Sequence, residues 1–259
     1  MRAPAIETLG LRTMGLVNHL GCIAFFVGEI FVSSVRPPLR LHRLVAAVFD
    51  AGVLSLAIVC LSGATVGAVL GLQGYATLSR FGAEGSLGAV VGLSLIRELG
   101  PVLTALLVTG RAGSAMAAEI ASMVTTEQLD GLRMMSIDPM DFVVSPKALA
   151  MVLVMPLLSA LFIVFAVFGG YVVGVELLGV DGGTYLTSLE GSIDFSDDVA
   201  GSLVKALTFG ALVGFIATYR GYTSEPTAVG VSAATTGTVV VSSIAILLSD
   251  YVITALWGV

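Results

Sequence analysis

Five long stretches with very few charges constrain this chain more than any other feature of its sequence. A transmembrane helix needs about 20 mostly apolar residues, and residues 51–72, 88–109, 148–175, 202–219 and 236–257 meet that requirement. Only 12% of the 259 residues are charged, against about 25% in a typical soluble domain. Because so few charges cannot cover a water-facing surface, we predict an all-α integral membrane protein with about five transmembrane helices.

The segment before the first predicted span, residues 16–35, has an amphipathic pattern typical of a helix lying at the membrane surface. A sixth span is the alternative. Pro37 and Pro38 would end this helix. We therefore divide the chain into residues 1–45, an interfacial helix with a basic linker, and residues 46–259, a single transmembrane domain. The apolar face carries Leu16, Leu20, Ile23, Val27, Ile30 and Phe31, and the other face carries Asn18, Cys22 and Glu29.

The distribution of charge predicts the orientation, because positive residues favour the cytoplasmic side. Residues 1–49 contain five arginines, and the segment 110–147 contains Arg111, Arg133 and Lys147. The segment 176–200 contains six acidic residues and neither lysine nor arginine. We therefore expect a cytoplasmic N-terminus, an acidic loop on the outside, and a C-terminus outside after five spans.

The sequence contains no motif for nucleotide binding, metal binding or catalysis. The phosphate-binding pattern GxxxxGK[ST] is absent, and the only lysines are Lys147 and Lys205. Cys22 and Cys60 lack metal-ligand spacing and are expected to pack as apolar residues. We predict no catalytic residue, no metal site, no cofactor and no nucleic-acid partner.

The segment 110–147 is too long and too patterned for a simple turn. Thr125 and Gln128 have the spacing of a capping box, which would start a short helix, and Asp138 with Pro139 would end it. A short helix between two spans suits docking to a cytoplasmic partner, or it rests on lipid. Its apolar edge would be Leu129, Leu132 and Met135.

The first span contains Gly63, Gly67 and Gly71 at intervals of four residues. Such glycines form a smooth ridge on one helix face and permit close helix contact. The ridge could pack within one protomer or form a dimer seam, and the sequence leaves both open.

Ionisable residues occur inside the predicted spans, where a charge costs about 2.5–3.5 kcal/mol on insertion scales. Arg97 and Glu98 lie near the middle of span two and Asp250 lies in span five, whereas Lys205 is near the outer end of span four and could snorkel. Adjacent residues diverge by about 100° around a helix, so one of Arg97 and Glu98 could line a cavity while the other pairs elsewhere. Structural ion pairing and a cavity for a lipid headgroup remain open. Leu70, Leu78 and Phe81 would suit acyl chains or ordinary packing.

Several motifs together resemble the MlaE (YrbE-type) permeases, over essentially the whole chain from about residue 45. They are Gly-Leu-Gln-Gly-Tyr at 71–75, Leu-Ile-Arg-Glu-Leu-Gly-Pro-Val at 95–102, Gly-Arg-Ala-Gly-Ser at 110–114, Ala-Glu-Ile at 118–120, Thr-Glu-Gln-Leu at 126–129, Asp-Pro at 138–139, Pro156, Gly-Gly at 169–170 and Ala-Ala-Thr-Thr at 233–236.

The resemblance implies the permease subunit of an ABC transporter that moves phospholipids between the inner membrane and a periplasmic MCE-domain partner, maintaining outer-membrane lipid asymmetry in Gram-negative bacteria. It implies a homodimer in which each protomer binds a cytoplasmic ATPase subunit (MlaF-like), which binds the ATP and associates with a STAS-domain protein (MlaB-like). A periplasmic MCE-domain hexamer (MlaD-like) would sit above. Phospholipid would occupy a cavity at the dimer interface.

By residue, the resemblance assigns two sites. The helix at 126–137 would couple the permease to the ATPase and pass its closure to spans one and two. The coupling residues would be Glu127, Gln128, Leu129, Leu132 and Arg133, and the lipid cavity would contain Leu70, Leu78, Phe81, Arg97, Glu98 and Lys205.

Two other functions remain as alternatives to an ABC permease: an ion-coupled secondary transporter and a non-transporting scaffold.

Overall fold

The computed structural model describes residue 18, residues 21–33 and residues 41–257, and within them the regular structure is helical with no strand. Five helical rods are long and apolar enough to cross a membrane: Leu41–Phe81, Glu84–Thr125, Met140–Leu177, Phe195–Tyr222 and Ala228–Trp257. The prediction of an all-α membrane protein with five spans is confirmed. The rods are longer than the predicted spans because the helices continue past the apolar core that hydropathy detects.

We number the α-helices in chain order. They are α1 (Gly21–Ser33), α2 (Leu41–Ala51), α3 (Leu56–Leu78), α4 (Leu87–Ser94), α5 (Gly100–Val108), α6 (Ser114–Thr125), α7 (Gln128–Met134), α8 (Ser145–Tyr171), α9 (Gly182–Ser192), α10 (Ala200–Tyr222) and α11 (Ala228–Trp257). Pro156 lies inside α8 without interrupting it.

Short π-helical segments lie within the rods and at their ends. A π-turn holds one residue more than an α-turn, so it rotates the side chains that follow it. Leu95–Leu99 and Thr109–Gly113 join α4, α5 and α6 within one rod, whereas Met140–Val144 and Phe195–Val199 begin rods and Val172–Leu177 ends one.

The glycine ridge packs within the chain. A Cβ added at Gly63 would lie 2.7 Å from the carbonyl oxygen of Phe162, and one added at Gly71 would lie 3.0 Å from that of Gly170. At Gly67 the added atom would overlap the backbone of Ala166. The small residues therefore bring the backbones of α3 and α8 into direct contact. The glycine ridge is covered by α8 of the same chain, so it packs within one protomer.

Helix α1 packs against the rest of the chain through one face. Phe26 and Ile30 are buried, and the Phe26 ring lies 5.3 Å from that of Tyr219. Cys22 and Glu29 are exposed as the amphipathic pattern predicts, but Phe31, placed on the apolar face, is also exposed. The described part of this helix, Gly21–Ser33, is apolar and 13 residues long. Leu16, Leu20 and the Pro37–Pro38 pair lie outside the described residues.

The acidic segment 176–200 contains a capped helix rather than a plain loop. The Asp181 carboxylate accepts hydrogen bonds from the backbone N–H of Thr184, at 2.8 Å, and from the Thr184 hydroxyl, at 2.9 Å. Asp181 is thus the N-cap of α9. Tyr185 of α9 is buried, and this burial raises its pKa to about 12.

We expect α9 to lose its cap in acid. The hydrogen bond from the Thr184 N–H lowers the pKa of Asp181 below 3.8. The cap therefore stabilises α9 fully above that pH, and its contribution is lost as the pH falls through the lower pKa of the folded state. Amide hydrogen-exchange protection in the first turn of α9 should decrease over this range. Asp181→Asn keeps an acceptor that does not titrate, so its protection should be independent of pH; constant protection in the parent protein would contradict the expectation.

Candidate functional site

A cluster of charged side chains lies between spans two, four and five. Lys205 of α10 donates hydrogen bonds to the Glu98 carboxylate, at 2.8 Å, to the Thr254 hydroxyl, at 2.7 Å, and to the backbone carbonyl of Arg97, at 2.9 Å. The Lys205 Nζ also lies 3.1 Å from Oδ1 of Asp250, an ion pair without hydrogen-bond geometry. One ammonium group thus connects three rods.

A second ion pair lies beside the first. The Nε of Arg97 lies 2.6 Å from Oδ1 of Asp198, whose side chain is 2% exposed. The other oxygen of Asp198 accepts the backbone N–H of Asp194, at 2.8 Å. With Glu98, Asp250 and Lys205, this gives two cations and three carboxylates in one contiguous group, which we name the charged cluster. Asp198 and Lys205 have side chains only 2% and 5% exposed, and this burial strengthens their interactions, whereas the side chains of Arg97 and Glu98 are 37% and 40% exposed.

The structure places the ionisable residues that were predicted inside the spans. Arg97 and Glu98 pair with different partners, Asp198 and Lys205, as their divergence around the helix predicted, but both line the same cavity. Lys205 was expected to snorkel outward, but it is 4% exposed and turned inward by its carboxylate partners. Sequence reasoning missed Asp198 altogether, although an arginine inside a span should have prompted a search for its carboxylate.

The space inside the charged cluster is too small for a lipid headgroup in a single chain. The cavity that Arg97, Glu98 and Lys205 line has a volume of about 20 Å³, enough for about one water molecule. The apolar residues predicted for the same cavity do not line it. Leu70 and Leu78 pack partly buried against the core, and Phe81 is 79% exposed. One chain does not bring the six predicted residues together.

The predicted coupling segment forms a tight helical reversal. Helix α6 ends at Thr125 and α7 begins at Gln128, and Glu127 between them has a left-handed φ of 57°. The capping box is wrong: the Thr125 hydroxyl donates to the carbonyl of Ala121, and no side chain caps α7. A left-handed residue closes this turn instead.

Helix α7 has a buried side and an exposed side. Leu129 is buried and Leu132 packs partly buried against the core, but Met135, placed on the same apolar edge, is 63% exposed, and its neighbour Met134 is 87% exposed. Arg133 donates to the Asp130 carboxylate, at 2.7 Å, and to the Tyr222 hydroxyl, at 2.6 Å. The second of these bonds joins α7 to the end of span four. Helix α7 ends at Met134, before the Asp138–Pro139 pair that was predicted to end it, and the Asp138 carboxylate accepts the N–H of Met140 instead.

The structure has five apolar rods with a charged cluster between them. The turn between α6 and α7 exposes large apolar side chains at one end of the bundle. These features define a multi-pass membrane protein of the permease class. Among the described residues, no group of His, Cys, Asp or Glu side chains could hold a metal ion. Residues 44–256 match the family described as Permease MlaE. The chain belongs to the MlaE permease family.

Relatives with functional names are similar over nearly their whole length. The intermembrane phospholipid transport system permease protein MlaE of Haemophilus influenzae is 45% identical over 97% of this chain and 96% of that protein. A probable ABC transporter permease protein of Rickettsia bellii is 44% identical over 97% of this chain and 96% of its own. The chloroplastic protein TRIGALACTOSYLDIACYLGLYCEROL 1 of Arabidopsis thaliana is 28% identical over 90% of this chain and 66% of its own length.

Proposed function

We propose that this chain is the inner-membrane permease subunit of an ABC transporter that moves phospholipids between the inner membrane and a periplasmic MCE-domain partner, and so maintains the lipid asymmetry of the outer membrane. The observation that carries the proposal is the similarity to the Haemophilus influenzae phospholipid transport permease over 97% of the chain. The chain supplies the membrane path, and a separate ATPase with its STAS-domain partner supplies ATP hydrolysis.

A second copy of the chain would complete the lipid cavity. Helix α11 buries Gly230, Ala234, Thr238, Ser242 and Ile246, which recur every four residues along one face, and most of its remaining surface is exposed. Phe81 is exposed as well, and the charged cluster has no room for a headgroup in one chain. In a homodimer, the exposed apolar surfaces would hold acyl chains while the charged cluster forms the polar wall near the headgroup.

The reversal between α6 and α7 would be the ATPase-coupling element on the cytoplasmic side. Met134 and Met135 offer flexible apolar contacts that fit a groove on a partner. A displacement of α7 by the ATPase would be transmitted to span four by the hydrogen bond between Arg133 and Tyr222. It would be transmitted to the core by Leu129. Basic residues at this end of the bundle and the acidic segment 176–200 at the other support a cytoplasmic N-terminus and a periplasmic C-terminus.

We expect Glu127→Lys to weaken ATPase binding and phospholipid transfer by at least tenfold. Glutamate and lysine meet the same steric restriction at a left-handed φ, so the substitution changes the charge of an exposed side chain and leaves the local backbone strain similar. The measurement is the amount of ATPase that co-purifies and the rate of lipid transfer. Glu190→Lys, an exposed position in α9 at the opposite end of the bundle, is the matched control and should leave ATPase binding unchanged. Normal ATPase binding and lipid transfer in Glu127→Lys would refute the coupling role.

Co-purification from native membranes tests the function as a whole. The tagged chain should bring with it a second copy, the ATPase and an MCE-domain protein, together with phospholipid. In vesicles, lipid transfer should require the ATPase and ATP. Transfer driven by an ion gradient without the ATPase would instead identify a secondary transporter, and the absence of any transfer by the assembled complex would identify a scaffold.

A further inference from the structure

A second, larger cavity lies far from the charged cluster, between α1, α10 and α11. Its volume is about 560 Å³, within the range of about 300–1,000 Å³ common for ligand pockets. Ile23 and Val27 of α1 form one wall, and Phe215 of α10 and Val241 of α11 form the others. No acidic side chain lines the cavity among the residues that the structure describes.

Arg220 is the one charged residue among those that line this cavity. Its Nε is buried without a hydrogen-bond partner, and within residues 21–33 and 41–257 no carboxylate forms an ion pair with it. Gly237 of α11 leaves the room that the guanidinium occupies, because a Cβ at that position would overlap it. A guanidinium in an apolar wall without a counter-charge calls for an anionic group from elsewhere.

The polarity of the cavity changes along the helix axis. Arg220 and Thr223 lie toward the end of α10, and Phe215 and Ile216 lie about one turn further inside the bundle. On α11, Val241 lies one turn inward from Gly237. A phospholipid has the same order of groups, with its phosphate near the membrane surface and its acyl chains directed inward. Free phosphate would match only the arginine.

We propose that the cavity between α1, α10 and α11 binds a phospholipid, with its phosphate on the Arg220 guanidinium and an acyl chain along Ile23, Val27 and Phe215. The site is separate from the charged cluster, because Lys205 and Arg220 are 15 positions apart on α10 (220 minus 205), or about 22 Å at 1.5 Å per residue. The bound lipid fills the space between the interfacial helix and the bundle, so it joins α1 to spans four and five.

Photocrosslinking tests this site in the full-length chain. Benzoylphenylalanine replaces Val27, the protein is reconstituted in vesicles of phosphatidylethanolamine and phosphatidylglycerol, and lipid adducts are measured by mass spectrometry. We expect a phospholipid adduct at position 27 that falls at least tenfold in Arg220→Gln. Arg80→Gln, a matched change at an exposed arginine near the other end of the bundle, should leave the adduct unchanged.

A second variant and a competition experiment distinguish phospholipid binding from binding of free phosphate. Val241→Trp fills the cavity without changing its charge and should also abolish the adduct. It therefore tests lipid binding in the cavity even if Arg220→Gln does not fold. Millimolar inorganic phosphate should not displace the lipid; displacement would reveal a site for free phosphate and overturn the proposal. An adduct of equal yield in folded Arg220→Gln, or in folded Val241→Trp, would overturn it as well. Lipid transfer by the assembled complex, measured separately, tests the transport function and not this site.

Discussion

Replacing Lys205 with methionine is expected to be among the most damaging single changes in the chain. The Lys205 side chain is 5% exposed and lies against Asp250, whose side chain is 19% exposed, and against Glu98, whose side chain is 40% exposed. Removing one partner of a buried ion pair typically costs about 3–5 kcal/mol, because the remaining charge stays buried without compensation. Asp250 is the carboxylate that this cost concerns, since Glu98 keeps partial access to solvent. We therefore expect a large drop in the unfolding temperature of the purified protein and loss of lipid transfer.

The chain provides a matched control, since its only other lysine is also paired. Lys147 lies against Glu119, whose side chain is 50% exposed, and exposed pairs contribute only about 0–1 kcal/mol. Lys147→Met should therefore change the unfolding temperature little. Adding Glu98→Gln and Asp250→Asn to Lys205→Met removes the uncompensated carboxylates and should restore much of the stability. Equal stability of Lys205→Met and the parent protein would show that the charged cluster does not hold the three rods together.

Replacing Gly67 with alanine is expected to separate the two helices that form the centre of the bundle. A single methyl group at this position would overlap the backbone of Ala166. Backbone atoms cannot move aside as a flexible side chain can. Helices α3 and α8 must therefore move apart. We expect a loss at or above the upper end of the about 1–3 kcal/mol that overpacking usually costs, measured as the unfolding temperature and the yield of monodisperse protein.

Gly110→Ala is the control for this substitution. Gly110 also lies within a membrane-spanning rod, but an added Cβ there would meet nothing within 4 Å. Exchanging glycine for alanine in a helix is otherwise favourable by about 1 kcal/mol, so Gly110→Ala should be neutral or stabilising. A similar loss of stability in both variants would mean that the contact between α3 and α8 is not the cause.

The fold was predictable from the sequence to the extent that it depends on composition. Five apolar stretches of sufficient length specify five rods, because a bilayer requires every backbone polar group to be satisfied within a helix. The spacing of Gly63, Gly67 and Gly71 indicated a close helix contact, but it could not identify α8 as the partner. That assignment depends on residues about 100 positions away, such as Ala166.

The candidate site was predictable only in part, because local geometry decides where its side chains point. The helix sends Arg97 and Glu98 in different directions, and the sequence does not show that their partners, Asp198 and Lys205, lie close enough to form one cluster. The left-handed backbone of Glu127, which replaces the cap expected from Thr125, also leaves no clear mark in the sequence. Lys205 does lie near the end of span four, but its position alone could not decide between snorkelling and the ion pairs that bury it.

The π-helical segments also determine where the chain can change length. Deleting one residue from an ordinary α-helix rotates everything after it by about 100°, and that would misalign every contact in a packed bundle. Deleting one residue from Val172–Leu177 can be absorbed by conversion to a regular α-turn, with the reorientation confined to the few residues nearby. Natural variants of different length are therefore expected to have their gaps at these segments, and engineered insertions and deletions are best tried there first.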